Sequence, residues 1–295
     1  MNANFNSSNI SRYSIWWRRI IHRPLVAIFR LSLGRKVRLF RNDFVSNGKP
    51  TIFVATHVFY DDAAVALCCL KSAAYLLFGV ESDDNLPSFK ERFVARLNGV
   101  IGVERNNKQS RIEAFYEMVE VLNRRGDILV FPEAAWNFLP NTVVAKINWG
   151  AIRVAQHTGA NIVPIAVNIV GNDYGVIIGN HFEYSNYTNS QEAVDSLRDK
   201  MATLAWELIS LSPLAHRENL TYEYWLSHIR EQFANMPRKD QSKEESFMYR
   251  PKDEVSLGEV LADLHGIEYK SMAADYEQHK RIERLIDGWT KPVRF

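Results

Sequence analysis

The sequence predicts an α/β fold: a mostly parallel or mixed sheet covered by helices, with an N-terminal amphipathic helical segment and a helical C-terminal extension. Three observations lead there. Short apolar runs rich in β-branched residues alternate with longer amphipathic stretches. Residues 1–42 hold nine Arg and Lys and no Asp or Glu, while the rest of the chain carries 27 basic against 34 acidic residues. After Pro213 the texture turns polar and charged. A chain of 295 residues, 46% hydrophobic, has material for a sizeable core.

Residues 1–42 form the basic head. Trp17, Ile20, Ile21, Leu25, Ile28 and Phe29 recur at helical spacing, with Arg18, Arg19, Arg23 and Arg30 largely off that face. Pro24 is expected to end one short helix and open another. No apolar run approaches the ~20 residues that span a bilayer, and the segment lacks the apolar core and cleavage site of a signal peptide. Tryptophan, arginine and aliphatic residues over 13–33 suit the headgroup region of an anionic membrane. No base-reading or stacking motif accompanies the charge, so nucleic acid is not expected as a partner.

Residues 43–213 carry the alternating pattern. Strands are expected near 50–55, 73–78, 100–104, 127–131, 161–168 and 175–179, and helices near 61–70, 88–97, 108–125, 148–159 and 191–211. Cys68 and Cys69, the two cysteines, are sequence neighbours inside an apolar helical stretch. They make no disulfide framework and fit a reducing, cytoplasmic setting. Residues 214–295 read as a charged helix near 216–240, a polar linker near 237–254, and a further helix near 255–288. Their role is not readable.

The chemistry concentrates after the first of these strands, in Thr56-His57-Val58-Phe59-Tyr60-Asp61-Asp62. His57 stands at the strand's exit and Asp62, five positions on, in the first helical turn. A carboxylate so placed holds the imidazole in one tautomer and stabilises its protonated form. An imidazole so held accepts a proton from a hydroxyl. The motif brings no Ser or Cys nucleophile of its own, which points to a hydroxyl on a substrate. Three further blocks follow: Gly99-Val-Ile101-Gly-Val-Glu-Arg105, Phe131-Pro132-Glu133, and Val163-Pro164-Ile165. The chain shows no nucleophile elbow, phosphate loop or dinucleotide fingerprint. Beyond His57, Asp61 and Asp62, no second cluster completes a metal site, and none is expected.

The four blocks, in this order and spacing over about residues 50–185, resemble the glycerolipid acyltransferase family, best known for 1-acylglycerol-3-phosphate O-acyltransferases. That family shows H-x4-D, G-x-I-x-x-x-R, F-P-E-G-[ST]-R and a V-P-[IV] strand. The resemblance implies an O-acyltransferase of lipid metabolism, moving a fatty acyl group from coenzyme A or acyl carrier protein to a hydroxyl. It implies His57 as general base and Asp62 as its orienting partner. It implies substrate binding by Gly99, Arg105 and Glu133, with Arg105 as a phosphate clamp. No bound cofactor is needed.

The third block departs from its family. Ala134, Ala135 and Trp136 stand where Gly, Ser/Thr and Arg are usual. An indole replaces a cation, so Trp136 is expected against an acceptor with a flat, partly apolar surface, such as a sugar. The equal alternative is a phosphate site served by Arg105 and Lys146 alone; Lys146, before Gly150, resembles the family's Lys-Gly segment with altered spacing. The acceptor classes are thus a lysophospholipid, a glycolipid or another sugar-containing hydroxyl compound, met on the inner face of the membrane by a peripheral protein. Two alternatives are a non-catalytic lipid-binding relative and a thioester hydrolase. Acyl length and oligomeric state are not readable.

Overall fold

The computed structural model describes residues 12–80, 99–104, 107–134, 136–137, 142–212 and 227. The chain divides into two compact units, Met1–Asn137 with Val144–Pro213, and Phe138–Val143 with Leu214–Phe295. The fold below belongs to the first. The expected helix near 88–97 and the expected helices beyond 213 lie outside the described residues.

Seven strands form one mixed sheet with five helices among the described residues. In chain order these are α1 (Arg12–Ser32), β1 (Val37–Asn42), β2 (Thr51–Ala55), α2 (Asp62–Cys69), β3 (Tyr75–Val80) and β4 (Val100–Glu104). There follow α3 (Lys108–Asn123), β5 (Ile128–Val130), α4 (Gly150–Thr158), β6 (Asn161–Val170), β7 (Asp173–Ile178) and α5 (Ser190–Ser210). The strand order is β1-β7-β6-β2-β5-β3-β4. Every pairing is parallel except the β6–β7 hairpin. The α/β expectation, a mixed sheet covered by helices, holds for this unit.

β2 and β5 are buried along their whole length because they lie inside the sheet with both faces covered. Phe53, Leu129, Val163, Ile165 and Val176 share a core with Val65, Ala66 and Leu67 of α2. Ile52, Val54, Ile128, Ile162 and Ile177 alternate to the opposite face and are equally buried. β2, β5 and β3 run in the same direction, so the segments leaving β2 and β5 emerge side by side at one edge. That edge is where open α/β sheets place ligands.

Two expectations for the head change. α1 runs unbroken from Arg12 to Ser32 with Pro24 inside it, because the helix is held by packing on α2 as well as by its own ladder. Residues 37–42 are no part of the helical head. They form β1, an edge strand paired with β7, with Arg38 bridged to Asp173 and Arg41 to Asp43 and Glu207.

The packed face of α1 also differs. Ile15, Arg18 and His22, one turn apart, face inward, and Arg18 is only 1% exposed. Its guanidinium donates to the carbonyl of Ala74 at 3.1 Å. Trp16, Trp17, Ile20, Ile28 and Leu31 are exposed instead, Leu31 at 88%. These positions fall on one stripe of the helix, opposite the buried one.

Candidate active site

His57 leaves β2 at the sheet's carboxyl edge, and Asp62 opens α2. The Nδ1 of His57 lies 2.8 Å from Asp62 Oδ2. The same oxygen accepts the backbone N–H groups of Val58, at 2.9 Å, and Phe59, at 3.3 Å. Asp62 is fully buried. One carboxylate oxygen therefore fixes both the turn and the imidazole. With Nδ1 engaged, Nε2 is the nitrogen presented to a substrate.

Those contacts also occupy backbone N–H groups that could otherwise face a developing oxyanion. Val58 and Phe59 point at Asp62, and the Asp62 N–H points at the Phe59 carbonyl, 3.3 Å away. Their donors build the turn instead. The neighbouring Asp61 faces elsewhere, accepting from the Tyr174 hydroxyl at 2.7 Å. Burial first, then that bond, raises the Tyr174 pKa.

Glu133 leaves β5 beside His57, as the strand pairing requires. It is 7% exposed, and both of its oxygens meet backbone donors. Oε1 accepts the His57 N–H at 2.9 Å and Oε2 the Ala145 N–H at 2.7 Å. The resemblance implied an acceptor ligand; in the structure both carboxylate oxygens are engaged by the backbone, bracing two loops. Burial pushes its carboxyl up to about 7, against the backbone bonds from His57 and Ala145, with Asp62 adding to the rise. The loop is tied down further, since the Asn137 N–H donates to the His57 carbonyl at 2.6 Å.

Aromatic rings enclose the imidazole. The centroid of Phe131 lies 4.5 Å from that of His57 and Trp136 lies 5.3 Å away. Tyr60 stands 6.3 Å from Trp136. Trp136 thus stands beside His57. Phe131 adds a second ring whose place against His57 sequence reasoning did not single out, although it opens that block. Ala134 sits at φ +62°. This left-handed turn is where the family carries Gly, whose missing Cβ makes it inexpensive.

The remaining expected residues scatter. Lys146 is exposed and follows Ala145, which Glu133 holds. Gly99 does not join His57. It immediately precedes β4 at the opposite, amino-terminal edge, at φ +72°, where a Cβ would stand 2.6 Å from Arg18 Nε. The close approach of Arg18 explains this glycine. Arg105 lies outside the described residues. No group of three or more His, Cys, Asp or Glu suited to a metal occurs among the described residues.

The family profile described as Acyltransferase matches residues 36–168. Residues 36–168 belong to the acyltransferase family. The match starts at the head of β1 and ends in β6, so it takes in His57, Asp62 and Glu133 together. The fold is similar to a crystal structure of the 1-acyl-sn-glycerophosphate (LPA) acyltransferase PlsC from Thermotoga maritima. The TM-score is 0.53 at 14% sequence identity, over 68% of this chain and 83% of that one. No curated protein matches the sequence significantly. The acyltransferase domain therefore carries the PlsC-like α/β fold, and the expectation of an acyltransferase stands.

Proposed function

We propose that this acyltransferase moves a fatty acyl group from a thioester of coenzyme A or acyl carrier protein to a hydroxyl of a lysophospholipid or glycolipid at a membrane surface. The observation that carries the proposal is the His57–Asp62 pair, held at 2.8 Å beside the exit of β5. His57 Nε2 takes the proton of the acceptor hydroxyl as its oxygen attacks the thioester carbonyl. Asp62 steadies the imidazolium. The carbon–sulfur bond then breaks, and the departing sulfur takes the proton from His57. Glu133 holds the His57 backbone against the post-β5 loop and acts as a positioning residue.

Trp136 and Phe131 make the imidazole's surroundings apolar and flat, which favours an acceptor presenting a sugar or glycerol face. Arg105 and Lys146 remain the proposed phosphate contacts. The exposed stripe of α1, with Trp16 at 60%, supports docking on an anionic membrane. Among the described residues no helix is long and apolar enough to cross one.

The test is a panel of lysophospholipid and glycolipid acceptors offered with one isotopically labelled acyl thioester, read by mass spectrometry. An ester product from at least one acceptor is expected. Labelled free acid as the sole product would establish hydrolysis, and no turnover with any donor would favour a lipid-binding protein.

A further inference from the structure

At the amino-terminal edge of the sheet, away from His57, α1 and the strand ends enclose a cleft of about 340 Å³. Arg19, His22 and Arg23 of α1 line it, with Lys71 from the segment before β3 and Arg125 and Asp127 from the turn before β5. Four cations thus face one carboxylate. Among the described residues, none of the four stands within ion-pairing distance of a carboxylate. Arg19 donates to the carbonyl of Arg125 at 3.0 Å, which orients it, and its charge also acts on Asp127. Asp127 is engaged by the Thr51 N–H at 2.8 Å.

A second observation points to a ligand. His22 is 6% exposed and lines the cleft. Its Nε2 faces the carbonyl of Leu70 at 3.3 Å, while its Nδ1 is buried without a partner. Burial of an unsatisfied ring nitrogen is unfavourable. A tetrahedral oxyanion that reaches Nδ1 removes that penalty. Its protonated oxygen donates to neutral Nδ1, or its charge draws a proton onto Nδ1, which then donates. Arg18, one turn earlier on α1, adds buried positive charge with Nε and Nη1 unpartnered.

We propose that this cleft is a phosphate-binding site, separate from the acyl-transfer site. Guanidinium and ammonium groups converging on a concave, part-buried space suit a phosphate better than a carboxylate, because three oxygens can meet three or more donors. The exposed apolar stripe of α1 runs beside the cationic flank formed by Arg19 and Arg23. A phosphate reaching the cleft from a membrane on which that stripe rests is a phospholipid headgroup. Only this choice of source rests on the membrane contact proposed above; the phosphate site itself does not.

The experiment compares the full-length protein with Lys71→Ala/Arg125→Ala and, separately, with Arg23→Ala. All three side chains are exposed, so the folded state is expected to survive. Inorganic phosphate is titrated while the imidazole resonance of His22 is followed by NMR, and sedimentation is measured with phosphatidylcholine vesicles with and without phosphatidic acid, whose phosphomonoester keeps three free oxygens. Wild type is expected to bind phosphate with a shift of the His22 resonance. The double variant should lose about tenfold or more in affinity, and Arg23→Ala a smaller factor. A parallel loss of phosphatidic-acid-dependent sedimentation supports the lipid source. Lost phosphate binding with unchanged sedimentation keeps the site and assigns it a soluble phosphate. An unshifted His22 resonance, or equal phosphate affinity in all three proteins, overturns the site. Acyl transfer enters neither readout, so failure here leaves the acyltransferase proposal standing.

Discussion

The catalytic proposal turns on which group each side chain touches. His57→Ala is expected to lower kcat by about 10²–10⁴, the usual range for a general base. Asp62→Asn should approach that loss, because Asp62 Oδ2 serves His57, Val58 and Phe59 at once. Asp61→Asn should do little, since an amide oxygen still accepts from Tyr174. Greater damage from the Asp61 change would move the relay to the wrong carboxylate. Glu133→Gln separates two roles. The amide keeps one acceptor but turns an N–H₂ toward a backbone N–H, displacing either His57 or Ala145. A positioning residue predicts a fall in kcat with KM nearly unchanged, whereas an acceptor ligand predicts a rise in KM.

Glu133 also carries a pH signature. Its carboxyl binds a proton more tightly in the folded protein, at about 7, than at its ordinary 4.5. Stability from this group is therefore fully present below 4.5 and is lost as pH rises through 7. The ceiling is about 3 kcal/mol. Wild-type unfolding free energy, measured by urea titration between pH 5 and 8 relative to Glu133→Gln, should decline with pH. A rising difference would mean that the backbone bonds outweigh burial.

At the scale of elements, the turn after β5 and the helix α1 are the informative pieces. Ala134 at φ +62° costs about 1–2 kcal/mol, partly offset by the lower unfolded-state entropy of Ala. Ala134→Gly should raise stability by about 0.5–1 kcal/mol, read as a higher Tm. A lower Tm would show the strain is relieved another way. For α1, Trp16→Ser with Leu31→Ser should weaken binding to anionic vesicles by about tenfold or more at unchanged Tm, because both side chains are exposed. Added salt should weaken the wild-type interaction as well. Equal sedimentation of variant and wild type would end the membrane role of the stripe.

Across the whole molecule, what was legible in the sequence was local. β2, the start of α2 and the His57–Asp62 pair lie within a dozen residues, so periodicity and spacing suffice to read them. The central strands announce themselves as apolar runs because both faces are buried. Long-range contacts were not legible. Glu133 meets His57 across 76 positions, and no local pattern says that its carboxyl is a strut. Arg18 lies in the core against Gly99 and the carbonyl of Ala74, although its charge predicts a solvated side chain. β1 is too polar on its exposed edge to read as a strand until β7 pairs with it.

The central claim is that the edge where β2 and β5 emerge transfers an acyl group through His57. It is tested most directly by measuring free thiol and ester product together, from a defined acyl thioester with and without a lysolipid acceptor, in wild type and His57→Ala. The account predicts thiol and ester in equal amounts, dependent on acceptor, both lost in the variant. Thiol release that ignores the acceptor, or ester formation that survives the loss of His57, would contradict it.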